Sequence, residues 1–333
     1  MSKRILSGIT PSSSNLHIGN YFGAVKQQIE LQNEDFETFY FVADVHALTT
    51  VKNRELLKNN IRNVVIDYLA LGVDPEKSVF FRQSDIPAHM ELAVILANFI
   101  SFAQMQRMHA YKDKLAKEVD INMGLFNYPI LMAADILLYE TDGVPVGEDQ
   151  RQHVELARDI ALNFNKAYGQ TIIKLPEPMI SKNLGKIIGT DGKRKMSKSL
   201  GNVIGIFDSD EVIAKQIKAS FTDPKRIKAS DPGTVEGNPV FMYHDLFNNN
   251  KAEVEDLKNR YRAGKVGDVE VKDKLLEAHK AFFANFRQKR LELENNPKLI
   301  NDILTSGAAK ASEIAKATLG KIRDTIGLEK VFN

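Results

Sequence analysis

Two segments far apart in the chain carry residue types that bind phosphate. The first, GITPSSSNLHIGN from Gly8 to Asn20, joins small and hydroxyl side chains to the start of a helix. Free backbone N–H groups and a partial positive charge make such a start a site for anions. His17 and Asn20 share a face of the first turn, and Gly19 leaves room for a planar base. The segment alone fits an ordinary Ser- or Asn-capped helix equally well.

The second segment is a glycine-flanked loop, GTDGKRKMSKSLG from Gly189 to Gly201, with basic and hydroxyl side chains. A mobile loop of this composition can bring ammonium groups onto phosphate oxygens, where they would stabilise developing charge. The alternative interpretation is a solvated basic loop without a ligand.

A third segment predicts a pocket for a flat apolar ring. Tyr128, Met132 and Asp135 are spaced so that they share one face of an otherwise apolar helix. A carboxylate there is costly to bury unless something donates to it. An indole, with one N–H donor and no acceptor, would match a pocket that ends in one acceptor. The alternative is a structural Asp bonded to backbone or to an arginine.

A fourth segment, VPVGEDQ from Val144 to Gln150, enters a helix at Gly147. Its backbone N–H groups and carboxylates could bind ribose hydroxyls. It could equally be an acidic first helical turn that suits the helix dipole.

The hydrophobic pattern of the first 168 residues alternates between short apolar runs typical of strands and the periodicity of helices, and these elements position the four segments. We predict strands at 4–9, 38–45, 78–82 and 143–147, and helices at 18–31, 53–71, 87–108, 129–139 and 148–168. Apolar strands that alternate with helices predict an α/β fold with a Rossmann-like, doubly wound parallel sheet. Ligands of such sheets bind beyond the carboxyl ends of the strands, so the first, third and fourth segments should converge there.

A second, smaller all-helical domain is predicted after the basic loop. Helical periodicity continues at 209–221, 239–260, 266–292 and 296–327, with few β-branched runs. We therefore divide the chain into domains at 1–205 and 206–333. We expect the last helix to pack back on the first domain.

Composition excludes several classes of function. Lys plus Arg number 45 and Asp plus Glu number 43, which gives a net charge of +2. This near-balance argues against a protein that binds nucleic acid mainly through its overall charge. The absence of cysteine excludes disulfides, thiolate metal sites and a cysteine nucleophile. No segment has the length and hydrophobicity of a signal peptide core or a membrane span. We expect a soluble, cytoplasmic protein with neither membrane nor DNA as a partner.

Taken together, the four segments resemble those of a known enzyme family. HIGN at 17–20 resembles the HIGH signature of class I aminoacyl-tRNA synthetases, and KMSKS at 195–199 matches the partner signature letter for letter. YPILMAADILLY at 128–139 and VPVGEDQRQHVELARDIA at 144–161 resemble the bacterial tryptophanyl branch of that family. The turn from Pro11 to His17 is one residue longer than is usual there, and Thr10 replaces a longer Gln or Arg.

The resemblance implies a two-step reaction. The carboxylate of tryptophan attacks the α-phosphorus of ATP, which gives an aminoacyl-adenylate and pyrophosphate. The terminal 2′-hydroxyl of tRNA(Trp) then takes the aminoacyl group. Also implied are Mg²⁺ accompanying ATP, anticodon binding by the helical domain, and a homodimer.

The resemblance also implies residue roles. The residues of the chemical step are His17, Asn20, Lys195, Ser197 and Lys198. The ATP contacts are Thr10, Pro11, Ser12, Gly19, Asn20, Gly147, Glu148, Asp149, Ile187, Lys195, Met196, Ser197, Lys198 and Ser199. The tryptophan contacts are Asp135 at the indole N–H, with Tyr128, Met132, Val144, Val146, Gln150 and His46 around the rest of the substrate.

Two other functions remain open from the residues. A tyrosine–tRNA ligase shares the fold and both signatures, but its pocket needs polar partners for a phenol O–H. A paralogue that binds RNA without charging it commonly loses a signature residue, whereas KMSKS is intact here.

Overall fold

A parallel sheet forms the centre of the N-terminal part of the chain. The computed structural model describes residues 2–12, 15–116, 121–180 and 187–328. Its five strands within these ranges are β1 (Lys3–Ile9), β2 (Phe36–Val42), β3 (Ser78–Arg82), β4 (Gly143–Val146) and β5 (Glu177–Ile180). They pair in the order β3-β2-β1-β4-β5, and all pairs are parallel. The order reverses at β1, where a ligand cleft is expected.

The helices of the first 180 residues cover both faces of this sheet. They are α1 (Ile18–Asn20), α2 (Lys26–Leu31), α3 (Asp44–Ala47), α4 (Arg54–Leu71), α5 (Ala88–Leu96), α6 (Phe102–Arg107), α7 (His109–Ala116), α8 (Met123–Leu137) and α9 (Arg151–Tyr168). Alternate residues of β2 point to opposite faces: Tyr40 and Val42 lie in one buried core, and Phe39 and Phe41 lie in the other. This confirms the predicted α/β fold.

The chain beyond the basic loop is helical, as expected. Its helices are α10 (Asp210–Lys218), α11 (Pro239–Phe247), α12 (Lys251–Arg262), α13 (Asp268–Glu294) and α14 (Pro297–Thr325). The last of these, α14, packs on β3. Gly307 lies so close to that strand that a Cβ atom would overlap the carbonyl oxygen of Phe80. The division into domains at residue 205 stays a proposal.

Several predicted boundaries are wrong, mostly at polar caps. The helix predicted to begin at Pro129 begins at Met123, because the Asn122 side chain accepts from the Leu125 N–H, 2.9 Å away, and Pro129 lies inside the helix. The helix predicted at 239–260 is two helices, because Asn250 caps the second by accepting from the Glu253 N–H. Tertiary packing tolerates an interior proline that local rules treat as a helix start.

Three further elements differ from the predictions. The helix predicted at 87–108 is broken by a 3₁₀ turn, Ala97–Phe99. The strand predicted at 38–45 ends at Val42, because α3 begins at Asp44. The edge strand β5 was not predicted, since its sequence, EPMI, contains a proline and no alternation. Along the described helices, none is long and apolar enough to cross a membrane.

Candidate active site

The predicted site residues gather in a cleft at the carboxyl ends of β1 and β4. The cleft has a volume of about 400 Å³. The predicted residues that line it are Thr10, Asn20, His46, Tyr128, Met132, Asp135, Val144, Val146, Gly147 and Gln150. A larger apolar cavity of about 570 Å³ shares only His46 and Tyr128 with this set. The smaller cleft is therefore the candidate site.

The HIGN segment forms the first helical turn at the rim of the cleft. The His17 N–H donates to Asn20 Oδ1 at 3.1 Å, so Asn20 caps the turn. The His17 ring is 6% exposed, and Nδ1 has no hydrogen-bond partner among the described residues. Burial, followed by the nearby Lys198 ammonium, lowers the pKa of His17 to about 4. The ring is therefore a neutral donor or acceptor at neutral pH.

The KMSKS segment lies directly against this turn. A Cβ atom on Gly19 would come 3.0 Å from the His17 ring and 3.2 Å from the Cβ of Met196. Met196 is buried, and its N–H donates to the Ile187 carbonyl at 2.9 Å. The Lys198 ammonium donates to the Asn15 carbonyl. The two signatures therefore form one surface, a contact that the predicted convergence of the other three segments did not include.

The segment after KMSKS pairs with the same helical turn. The Ile18 N–H donates to the Ile204 carbonyl at 3.0 Å, and the Ile206 N–H donates to the Leu16 carbonyl at 3.1 Å. Ile204 and Ile206 are fully buried. Backbone pairing on the C-terminal side thus fixes where the basic loop returns to the body of the protein.

The other side chains of the basic loop face solvent or the cleft rim. Lys195 Nζ lies 3.7 Å from Asp149 Oδ2, and both groups are exposed. The Ser197 and Ser199 hydroxyls lie 3.0 Å apart. Exposed ammonium groups on a loop above a cleft can rearrange around an anion at little cost. The loop thus presents the Lys195 ammonium group beside Asp149, and two neighbouring hydroxyls, those of Ser197 and Ser199.

The rim opposite the HIGN turn is the segment 147–150. Glu148–Gln150 forms a 3₁₀ turn rather than the first turn of the predicted helix, which begins at Arg151. A Cβ atom on Gly147 would lie 2.6 Å from Asp149 Oδ1, so glycine lets the carboxylate fold over the turn. Arg151 holds Glu148 in a two-point ion pair at 2.7 and 2.9 Å. Glu148 is thus paired with Arg151, whereas Asp149 is the carboxylate of this turn that contacts Lys195.

The structure describes part of the turn that joins β1 to α1. The Ser12 N–H donates to the Thr10 carbonyl at 2.8 Å, and Asn60 Nδ2 donates to the Pro11 carbonyl at 3.2 Å. Residues 13 and 14, in the turn that is longer than usual, lie outside the described residues. Thr10 lines the cleft, whereas Pro11 and Ser12 do not.

Asp135 lies at the floor of the cleft in a network of nitrogen donors. His46 Nε2 contacts Oδ2 at 2.8 Å, while His89 Nδ1 and Gln83 Nε2 contact Oδ1 at 2.6 and 2.7 Å. Burial opposes ionisation, but the hydrogen bonds from His46 and His89 outweigh it and lower the pKa of Asp135 to about 2. The carboxylate is therefore ionised and accepts only.

Tyr128, above Asp135, is also held by a histidine. Its hydroxyl lies 2.9 Å from His153 Nε2, and burial raises its pKa to about 12. The His46 and Tyr128 rings meet edge to face with centroids 6.2 Å apart. The network around Asp135 and Tyr128 fixes two walls of an aromatic-sized space.

Sequence reasoning missed three members of this network, namely Gln83, His89 and His153. Gln83 directly follows β3, and His89 lies in the first turn of α5. The carboxyl end of β3 meets the same sheet edge as that of β1, so a search for polar residues just after each predicted strand would have found Gln83.

Comparisons with known proteins agree with this geometry. The family model described as tRNA synthetases class I (W and Y) matches residues 2–284. The chain is 45% identical over 326 residues to the tryptophan–tRNA ligase of Fusobacterium nucleatum, covering 98% of both chains. It is 42% identical over 330 residues to that of Treponema pallidum, covering 98% of this chain and 97% of the relative. The crystal structure of tryptophanyl-tRNA synthetase from Campylobacter jejuni complexed with ADP and tryptophan matches with a TM-score of 0.89 and 44% identity, covering 97% of this chain and 99% of that chain.

Proposed function

We propose that this chain, which belongs to the class I tRNA synthetases for tryptophan and tyrosine, is a tryptophan–tRNA ligase. The observation that carries the proposal is Asp135, an ionised acceptor at the floor of an apolar cleft whose rim holds both signatures. An indole N–H is the donor that such a pocket selects. The likeness to tryptophan enzymes runs over the whole length of those relatives.

In the activation step, ATP enters as its Mg²⁺ complex, with the metal held by phosphate oxygens and water. Gly19 provides a flat surface for adenine, and Gly147, Glu148 and Asp149 meet the ribose. Thr10, Pro11, Ser12, Ile187, Met196 and Ser199 complete the ATP contacts. These roles are those that the resemblance implies; of the residues named here, Thr10 and Gly147 line the cleft, and Gly19 and Met196 lie where the two signatures meet.

The chemistry needs no nucleophile from the protein. A carboxylate oxygen of tryptophan forms a bond to the α-phosphorus, and the bond to the bridging oxygen of pyrophosphate breaks, so pyrophosphate leaves with the electron pair. Lys195, Lys198 and Ser197 stabilise the charge that develops on the leaving group, and His17 and Asn20 orient the phosphates. Catalysis therefore rests on positioning and charge stabilisation.

The tryptophan side chain lies between Tyr128 and Met132 on α8 and Val144 and Val146 on β4. Asp135 Oδ2 accepts the indole N–H. Gln150 lines the cleft and is the partner proposed for the ammonium and carboxylate groups. His46 contacts Asp135 Oδ2 at 2.8 Å, so we place it beside the indole N–H and not at the polar end that the resemblance implies. Each polar group of the substrate thus meets a partner, which burial requires.

In the transfer step, the 2′-hydroxyl of the tRNA(Trp) terminal adenosine attacks the activated carbonyl and releases AMP. The helices from α10 to α13 bind the anticodon end, and the reaction takes place in the cytoplasm. We further propose a homodimer, supported by the exposed apolar side chains of Val94, Phe102 and Met123. Sedimentation at several protein concentrations tests the dimer.

Aminoacylation of a tRNA(Trp) transcript with labelled tryptophan tests the proposal as a whole. We expect charging that depends on ATP and on an intact 3′ end. A Lys198→Ala variant is the matched control, because it should bind tRNA yet charge it slowly. RNA binding without any charging by the unaltered protein would overturn the proposal in favour of a non-charging paralogue.

A further inference from the structure

A chain of buried polar groups extends behind Asp135, away from the cleft. His89 Nδ1 contacts Asp135 Oδ1 at 2.6 Å, and the Tyr139 hydroxyl contacts His89 Nε2 at 2.7 Å. His89, Gln83 and Tyr139 are fully buried. Neither His89 nor Tyr139 lines the cleft, so neither can touch a substrate there.

The ionised carboxylate fixes the direction of the first hydrogen bond in this chain. Since Asp135 accepts only, His89 must carry its hydrogen on Nδ1. His89 Nε2 and the Tyr139 hydroxyl, 2.7 Å apart, make the next hydrogen bond of the chain. Burial, reinforced by the Asp135 charge, raises the pKa of Tyr139, so this hydroxyl keeps its proton. The chain runs from Tyr139 through His89 to Asp135.

The two oxygens of Asp135 are unequally occupied. Oδ1 receives two donors, His89 Nδ1 and Gln83 Nε2, which fill its two lone pairs. Oδ2 receives His46 Nε2 alone among the described residues. One lone pair of Oδ2 is therefore left for a donor that comes from the cleft.

We propose that His89 is a positioning residue for substrate selection: with Gln83 it occupies Oδ1 of Asp135 and fixes the carboxylate so that Oδ2 presents one acceptor position to the ring N–H of the substrate. This inference rests on the proposed function and deepens it. A phenol ring would place an oxygen that also needs a donor at this position, whereas the N–H groups of His46 and His89 already point to Asp135. The arrangement favours a ring with one N–H and no acceptor over tyrosine.

The test compares two amino acids that differ in one group. β-(3-Benzothienyl)alanine has a sulfur where tryptophan has the indole N–H, so it fills the same space without donating. The ratio of kcat/KM for tryptophan to that for the analogue, measured by ATP–pyrophosphate exchange, reports the hydrogen bond to Asp135. General damage to the fold or to ATP binding lowers both values and leaves the ratio unchanged.

Two substitutions of His89 distinguish the effect of its N–H donor from the effect of its side-chain volume. His89→Leu removes the donor, so Asp135 can turn away from the cleft, and the ratio should fall about tenfold or more, mainly through the KM for tryptophan. His89→Asn keeps an N–H near the place of Nδ1, and the ratio should stay within about threefold of the unaltered protein. The acid limb of the kcat/KM profile for tryptophan should move to higher pH in His89→Leu only.

Tyr139→Phe supplies a variant that keeps the imidazole and the buried ring. It should lower the ratio in the same direction but less than His89→Leu does. Equal losses for both amino acids in His89→Leu and an unchanged ratio in Tyr139→Phe would overturn this inference alone. An unaltered protein that activates tyrosine and not tryptophan would overturn the proposed function as well.

Discussion

Gly19 and Met196, one from each signature, lie in direct contact: a Cβ atom on the glycine would be 3.2 Å from the Cβ of the methionine. The same Cβ atom would lie 3.0 Å from the His17 ring. Two segments from distant parts of the chain are thus joined at a position where any side chain would push them apart. The HIGN turn and the KMSKS loop therefore act as one unit, and several predictions about ATP and stability rest on this contact and its neighbours.

Gly19→Ala should weaken ATP activation. The added methyl group requires the His17 ring or Met196 to shift by a few tenths of an ångström, and both are buried, so the HIGN turn and the loop pack together less closely. We expect kcat/KM for ATP in pyrophosphate exchange to fall by about tenfold or more. Gly23→Ala is the matched control, because nothing lies within 4 Å of its added Cβ. Equal activity in the two variants would mean that the contact is incidental.

Alanine at Lys195 or Lys198 should lower kcat far more than it weakens ATP binding. These ammonium groups are proposed to stabilise the additional charge that develops on the departing pyrophosphate in the transition state. We expect a loss of about 10²-fold or more in kcat, with the Kd for ATP changed by less than about fivefold. Lys193→Ala, exposed on the same loop, serves as the control. Parallel losses in both quantities would identify the loop as a passive clamp on ATP.

Asp135→Ala should raise the KM for tryptophan by the equivalent of about 2–3 kcal/mol. The substitution removes the acceptor and leaves the N–H donors of His46, His89 and Gln83 without a partner. Stability should fall too, so the KM for ATP is measured on the same preparation and is expected to stay close to its original value. A KM for tryptophan that does not move would show that Asp135 is purely structural.

The His17 ring should titrate near pH 4, because burial lowers its pKa to about 4 from the ordinary value of 6.5. Between these two values the unfolded chain binds a proton that the folded chain does not, so the contribution of His17 to stability decreases as the pH falls from 6.5 to 4. Histidine NMR titration, with the His17→Asn spectrum identifying the signal, checks the midpoint. A midpoint near 6.5 would mean that the ring is solvated and the HIGN turn more open than described.

Gly307→Ala should destabilise the fold, since its methyl group would meet the Phe80 carbonyl where α14 crosses β3. We expect a loss of about 1–3 kcal/mol in the free energy of unfolding. Gly320→Ala lies on the same helix with nothing within 4 Å of the added Cβ, and it should stabilise by up to about 1 kcal/mol. The difference in urea midpoint between the two variants measures how firmly α14 is held; no difference would contradict the packing.

The sequence could predict the parts of the fold that periodicity controls. Apolar runs such as TFYFVADV gave the buried strand β2 and, with it, a sheet covered on both faces. Some predicted helix boundaries were wrong at polar caps and at an interior proline. Asn122 and Asn250 each start a helix through a single side-chain hydrogen bond, and this signal competes with other local signals in the sequence. The network around Asp135 was missed for another reason, although the place of Gln83 directly after β3 could have indicated that residue. Gln83 and His89 meet it only after the sheet brings the ends of β2, β3 and α8 together.

The specificity that we attribute to Asp135 is tested most directly by amino-acid-dependent ATP–pyrophosphate exchange, with tryptophan and tyrosine as parallel substrates. We expect exchange with tryptophan and at most a trace with tyrosine, because one acceptor on Asp135 faces the cleft. The Asp135→Ala variant should lose most of that preference for tryptophan. Exchange with tyrosine instead would keep the fold and the chemistry but contradict the specificity argued from Asp135. Exchange with neither amino acid, even with tRNA(Trp) present, would contradict the activity itself.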